Sequence, residues 1–251
     1  MTKLFRAALL SAALLLPAAA AHADSFSPDQ KAEIGKIVRE YLLQNPDVLI
    51  EVSKELDKRQ QDADNKKRDG AVSSNAQEIF HSGNDLVAGN PKGDVTMVEF
   101  FDYNCGWCKK GLPEVLSLVD EDKNLRLVMK EFPIFGEDSE YAARAALASG
   151  RQDKYWPFHL AMLGHQGKVT KAVVDQLAEA QGLDMKKLHA DMEDPKIAAV
   201  IIENQKLAQA LAINGTPAFI IDRKVIPGYL PKDDLAATIK DVRASGGCTA
   251  C

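Results

Sequence analysis

A pair of cysteines two residues apart, placed where an apolar strand gives way to a helix, constrains this chain more than any other feature. Val95-Thr96-Met97-Val98-Glu99-Phe100-Phe101 reads as a buried strand, and Cys108 to Val119 has helical character. Cys105-Gly106-Trp107-Cys108 lies between them. A thiol at a helix N-terminus faces unpaired N–H groups and the positive end of the dipole, so its thiolate is favoured. A second thiol three residues on can attack a mixed disulfide from within the first turn. These roles fall to Cys105 as nucleophile and Cys108 as resolving cysteine, with Lys109 and Lys110 either adding positive charge nearby or simply solvated. A static disulfide and a zinc half-site are the competing readings. Zinc would need two more ligands, which Cys248-x-x-Cys251 supplies by spacing, but a strand-to-helix junction is the wrong setting for a zinc knuckle.

The rest of the pattern is mixed α/β. Leu125 to Phe132 reads as a second strand. Helical runs follow at Tyr141 to Ala148, Tyr155 to Leu163, Lys171 to Ala180 and Pro195 to Leu211, punctuated by Gly150, Gly167 and Gly182. Ala218 to Ile221 and Lys224 to Ile226 suit a hairpin around Asp222-Arg223, and a last helix spans about Lys232 to Val242. With 46% hydrophobic and 27% charged residues, wholesale disorder is excluded. Four cysteines in 251 residues do not make a disulfide-stapled scaffold, and a net charge of -5 disfavours a general nucleic-acid binder.

Both ends of the chain lie outside this pattern. Lys3 and Arg6, an Ala/Leu-rich run from Ala7 to Ala21, and Ala21-His22-Ala23 have the layout of a secretory signal peptide cleaved after Ala23. Export would place the cysteines where disulfides persist. Ser27, Pro28 and Gln30 then form a helix-start signal, followed by an apolar stripe of Ile34, Ile37, Val38, Tyr41 and Leu42. Asn45-Pro46 starts a second helix, with Leu49, Val52 and Leu56 on one face and a charged stretch from Lys54 to Asp69. Two stripes without a core of their own must pack on the rest of the chain or on other copies of it, and the charged spacer favours other copies. At the far end, Cys248 and Cys251 sit in a small-residue tail, with three uses open to them. These are a terminal disulfide of little consequence, an auxiliary dithiol exchanging with the Cys105 site, and a soft-metal site for Cu(I). His159 and His165, six apart, share a helix face poorly, so packing is expected of them.

The segment Val98 to Cys108 resembles the active site of the thioredoxin-fold DsbA family. Lys130-Glu131-Phe132-Pro133 resembles that family's next strand, and Gly215-Thr216-Pro217-Ala218-Phe219 its cis-proline loop. The N-terminal segment, from Pro28-Asp29-Gln30-Lys31 to Asn45-Pro46-Asp47-Val48-Leu49, is similar to that of the ScsC (suppressor of copper sensitivity) group. The resemblance implies a thioredoxin-like α/β fold with a helical insertion at about 138–212, preceded by an oligomerising helical segment. The expected layout is a signal peptide at 1–23, helices at 24–69, a linker at 70–76, the thioredoxin domain at 77–243 and a flexible tail at 244–251.

It also implies roles. Glu99 would be the buried acid serving the resolving cysteine, against the alternative of an edge-facing Glu in water. Pro217 would be cis, and Thr216 and Trp107 would contact substrate. The pair Gly106-Trp107, with Thr216 before the proline, is similar to disulfide isomerases and ScsC proteins rather than to the strongest oxidants. The expected function is therefore a periplasmic thiol–disulfide oxidoreductase leaning to isomerase. Its alternatives are a DsbA-like dithiol oxidase and a non-enzymatic copper-handling dithiol protein. The expected partners are unfolded or misbridged secreted proteins, a membrane redox partner that resets the site, and further copies of the chain through residues 24–69; no nucleic acid, cofactor or resident metal is expected.

Overall fold

The structure, a computed structural model, describes residues 26–251. The expected signal peptide and its cleavage point lie outside the described residues. The chain divides into two units, one reaching Lys58 and one from Arg59 onward.

The first unit holds helix α1 (Pro28–Gln44) and the start of α2 (Asp47–Ser74). The sequence starts α1 as its composition predicts. Ser27 Oγ accepts the Gln30 N–H at 3.2 Å, Gln30 Oε1 accepts the Ser27 N–H at 2.9 Å, and Pro28 opens the helix. No residue of α1 is buried. Ile37, Tyr41, Leu49 and Leu56 all stand more than half exposed in the single chain.

The unit boundary falls inside α2, not in the linker expected at 70–76. Gly70 to Ser74 are the last turns of that helix, and Ala76–Phe80 forms α3. One interior glycine disfavours a helix by only about 1 kcal/mol. Val72 is fully buried in this last turn, so packing outweighs propensity. Asn75 then closes the helix, its Nδ2 donating to Ala71 O at 2.7 Å.

The second unit is built on five strands: β1 (Leu86–Gly89), β2 (Val95–Phe101), β3 (Leu125–Glu131), β4 (Ala218–Ile221) and β5 (Lys224–Pro227). Their order is β1-β3-β2-β4-β5. Only β2 and β3 run parallel, joined through α4 (Gly106–Glu121); the other pairs are antiparallel. Every residue of β2 is buried, as a central strand covered on both faces must be. Met97 and Phe101 belong to one core with Leu127, Phe219, Cys105 and Cys108. Val98 and Phe100 belong to the other, with Ile79, Phe80, Leu207 and Ile220. Because side chains alternate along a strand, Glu99 shares the face of Met97 and Phe101, on the side of the cysteines.

The insertion between β3 and β4 comprises α5 (Glu137–Ser149), α6 (Tyr155–Leu163), α7 (Lys171–Ala180), α8 (Met185–Met192) and α9 (Pro195–Ala210). Thr170, Asp184 and Asp194 cap the last three with side-chain oxygens, which explains the sharp starts. A final helix, α10 (Lys232–Ala244), ends where Gly247 N–H returns to Val242 O at 3.0 Å, with Gly246 and Gly247 both at positive φ. Residues 248–251 are not free beyond it. Thr249 and Ala250 donate their N–H groups to Asp222 Oδ1, at 2.7 and 2.9 Å. The tail expected to be flexible is thus docked, because a turn carboxylate elsewhere in the chain receives it.

Candidate active site

Cys105 is the N-cap of α4, in extended conformation, and its Sγ accepts the Cys108 N–H at 3.2 Å. The Cys105 thiol also meets the Thr216 carbonyl oxygen at 3.2 Å. Both cysteines are buried and unbridged, a dithiol. The Cys108 thiol hydrogen bond, then those at Thr216 and at the Cys108 and Trp107 backbone N–H groups, outweigh burial and bring the Cys105 thiol down to about 6. Cys108 moves the other way. Burial raises its thiol most, its hydrogen bond to Cys105 adds to this, and the Glu99 and Cys105 charges add more. One sulfur is thereby prepared as the anion and the other as the proton holder, the asymmetry a nucleophile–resolver pair requires.

Glu99 is buried, 3% exposed, which rules out the edge-facing alternative. Burial and then the Cys105 charge push its carboxyl up to about 8. It sits in β2 opposite Met129 of β3 and Phe219 of β4. The Thr216–Pro217 peptide bond is cis. Trp107 is 55% exposed and stacks on Tyr229 at 5.3 Å between ring centroids. Lys110 Nζ lies over both rings, at 4.6 and 4.9 Å.

Several residues that hold this site have no role in the sequence reading above. Asp102 is buried and accepts four hydrogen bonds: from Asn104 N–H (2.6 Å), Ser139 Oγ (2.8 Å), Ile134 N–H (2.7 Å) and Phe135 N–H (3.2 Å). Asn104 exchanges hydrogen bonds with the Val169 backbone, donating at 3.1 Å and accepting at 2.8 Å. Lys109, which the sequence offers as nearby charge or as a solvated side chain, is not simply solvated, since its Nζ donates to the carbonyls of His165 and Gly167. The turn before the nucleophile is thus tied into the insertion. Asp102-x-Asn104 was a usable signal, because an Asp two residues before an N–H it can accept is an Asx turn. Tyr229, anchored by a 2.6 Å hydrogen bond from its OH to Glu114, carried no local signal.

Behind the turn, Tyr103 OH reaches Glu131 Oε1 (2.9 Å) and His159 Nδ1 (3.0 Å), and Tyr155 OH donates to Glu131 at 2.6 Å. Burial raises Glu131 to about 8 and lowers His159 to about 3, so His159 is a neutral ring stacked on Trp156 and Tyr155. It packs, as its spacing from His165 indicates.

Cys248 and Cys251 are not brought to this site. They are disulfide-bonded to each other. Cys248 Sγ lies 3.6 Å from Asp222 Oδ1, whereas Cys105 lies against Thr216. Thr216 and Asp222 lie beyond opposite ends of β4, so the two cysteine pairs stand at opposite ends of that strand. Among the described residues no group of three His, Cys, Asp or Glu side chains is placed to hold a metal, so the two pairs share no zinc site in this structure.

Against known proteins, the model of the DSBA-like thioredoxin domain matches residues 96–240. The chain belongs to that family. A second model, the copper resistance protein ScsC N-terminal domain, matches residues 30–63. A thioredoxin-like oxidoreductase from Silicibacter pomeroyi DSS-3 is 45% identical, with a TM-score of 0.66 over 67% of this chain and 97% of that one. BcfH of Salmonella enterica Typhimurium is 30% identical, with a TM-score of 0.72 over 84% of this chain and 95% of that one. The Na(+)/H(+) antiporter NhaA 1 of Salinispora arenicola is 30% identical over 157 residues, 62% of this chain, and the match spans only 24% of that protein's length. The DsbA-like domain therefore carries a thiol–disulfide oxidoreductase fold, with ScsC-like helices ahead of it. Among the described residues no helix is long and apolar enough to cross a membrane.

Proposed function

We propose that this DsbA-like chain is a periplasmic thiol–disulfide oxidoreductase that rearranges disulfides of exported proteins. One observation carries the reading. The Cys105 sulfur is held at the N-terminus of α4, accepting a backbone N–H, with its thiol lowered to about 6 while that of Cys108 is raised.

Cys105 thiolate attacks a substrate sulfur, and the substrate disulfide breaks as the mixed disulfide forms. The departing substrate thiolate attacks another disulfide of its own chain and frees a different thiolate, and that thiolate attacks the mixed disulfide at the substrate sulfur, forming a new substrate disulfide and expelling Cys105 thiolate, which is isomerisation. If it does not, Cys108 loses its proton and attacks Cys105 Sγ, releasing reduced substrate and leaving the Cys105–Cys108 disulfide. Glu99 accepts that proton. It does so as the carboxylate, and because burial pushes that carboxyl up to about 8, the accepting fraction grows as pH rises toward 8. The Thr216 backbone lies beside Cys105, where an extended substrate segment pairs by strand addition, and Trp107 supplies an exposed aromatic surface next to it. A membrane redox partner restores the dithiol.

The isomerase assignment rests on Gly106-Trp107 between the cysteines and on the unburied apolar faces of α1 and α2. Those faces are covered by other copies of the chain, which places several Cys105 sites in one assembly. The test is the double variant Ile37→Asp/Leu49→Asp. Its solution mass falls to that of one chain and reactivation of scrambled ribonuclease drops several-fold, while insulin reduction continues. A wild-type chain that is already monomeric ends the assembly reading.

The low Cys105 thiol also favours a second direction. A stabilised thiolate stabilises the reduced pair, which makes the disulfide form an oxidant. Refolding of fully reduced ribonuclease, run beside the scrambled substrate, separates the two. An oxidase accelerates the former and leaves the latter unchanged.

A further inference from the structure

The C-terminal disulfide occupies a defined place. Cys248 packs against the core face that holds Met97 and Ile221, while Ala250 and Cys251 pack against the opposite face with Val98 and Ile220. The four-residue loop therefore straddles the end of the sheet at the β4–β5 turn. Asp222, at φ 52, sits in that turn. Its Oδ1 accepts Thr249 N–H, Ala250 N–H and Thr249 Oγ1–H, the last at 3.1 Å, and Arg223 Nε donates to Thr249 Oγ1 at 3.1 Å.

The tail cannot carry these sulfurs to Cys105. Gly247 N–H is bound to Val242 O, and Arg243 fixes that end of α10 to Asp94 and Asp122, each at 2.7 Å. From Gly247 the chain reaches Cys251 over at most about 14 Å when fully extended. Asp122 closes the far end of α4, and Cys105 caps its opposite end, about 24 Å away along the helix.

We infer that Cys248–Cys251 is a second thiol–disulfide centre, independent of Cys105–Cys108, which exchanges with an external dithiol and whose oxidised form docks the tail on Asp222. The disulfide closes a short ring, and that ring keeps the Thr249 and Ala250 N–H groups converging on one oxygen. Opened, those residues regain backbone freedom and the docked geometry must be bought back from it. Docking and oxidation therefore support each other reciprocally. Both cysteines are only partly buried. A thiolate of the external dithiol attacks one of them, the Cys248–Cys251 bond breaks, and the departing sulfur takes a proton from water. The second thiol of the reductant, deprotonated, then attacks the mixed disulfide. It leaves as a disulfide, oxidised by two electrons, and the protein's remaining thiolate takes its proton from water to leave two tail thiols.

The test uses the full chain as wild type, Cys105→Ser/Cys108→Ser and Asp222→Asn, the last keeping a side chain that tolerates positive φ. Each is equilibrated in graded dithiothreitol redox buffers, quenched by alkylation and read by mass for each cysteine pair. The tail midpoint in Cys105→Ser/Cys108→Ser matches wild type within about twofold, as independence requires. Asp222→Asn makes the tail about tenfold easier to reduce, because it weakens charge-assisted hydrogen bonds made only in the docked state, and leaves the Cys105 midpoint in place. Reduction raises hydrogen exchange at the Thr249 and Ala250 amides in the wild-type chain. A tail reduced only when Cys105 and Cys108 are present overturns the inference. So does a tail oxidised in every buffer, or one reduced with no change in exchange.

Discussion

Cys105-x-x-Cys108 and Cys248-x-x-Cys251 have the same spacing and opposite surroundings. The first pair opens a helix, so its leading sulfur meets free N–H groups at the positive end of the dipole. The second follows the C-terminus of α10, where the dipole has the opposite sign, and its loop turns its own N–H groups away to the Asp222 carboxylate. The first is an open dithiol beside Thr216, and the second is a closed disulfide at the other end of β4. Spacing decides only that two sulfurs can join; which element supplies the neighbouring dipoles decides what the joined or parted sulfurs do.

The largest expected effect breaks the symmetry of spacing outright. Cys105→Ser removes the nucleophile and lowers insulin reduction by on the order of a thousandfold or more. Cys248→Ser/Cys251→Ser retains the wild-type rate. Equal losses in the two variants would mean that the tail belongs to the catalytic relay.

Glu99→Gln comes next, slowing the Cys108 step roughly ten- to a hundredfold in stopped-flow release of a mixed disulfide. The same variant has a stability signature. Because burial raises the folded carboxyl from 4.5 to about 8, its contribution is intact below 4.5 and is lost as pH rises through 8. Denaturant midpoints of wild type and variant therefore agree at low pH, and the variant is the more stable above pH 8.

The thiol asymmetry itself is read by alkylation. The rate at Cys105 rises with pH around a midpoint near 6. The matching linkage has the opposite sign to that of Glu99. The reduced form gains stability that is complete above pH 9 and lost as pH falls through 6. A midpoint near that of an ordinary thiol would erase the difference between the two pairs.

Tyr229→Ala gives the smallest effect. It removes a stacking partner of Trp107, an interaction of about 0.5–1.5 kcal/mol, and raises KM for a peptide disulfide by a few-fold without changing kcat.

Much of the site was legible because it is local. Cys105 and Cys108 announce themselves by position between an apolar run and a helical one. A carboxylate such as Glu99 inside Val95 to Phe101 can only be buried if that run is central. The family pattern located Pro217, and helices α6 and α7 begin and end where periodicity and glycines place them. What was hidden depends on distant partners. β1 is four residues, Leu-Val-Ala-Gly, and becomes a strand only by pairing with β3. Gly70 reads as a break until Val72 is seen in a core. Asp222 reads as half of a turn, and only Thr249 and Ala250, 27 and 28 residues on, reveal it as the anchor of the tail.

Asp102 has one more consequence. Its two oxygens hold the turn before Cys105, the chain after β3 and the start of α5 at once. The sulfur is carried on an anvil, its base held from three segments. A client that meets it must supply all the bending, and a stretch of chain with slack bends far more readily than one already folded. Rigidity on the enzyme's side thus works as a filter for looseness on the other.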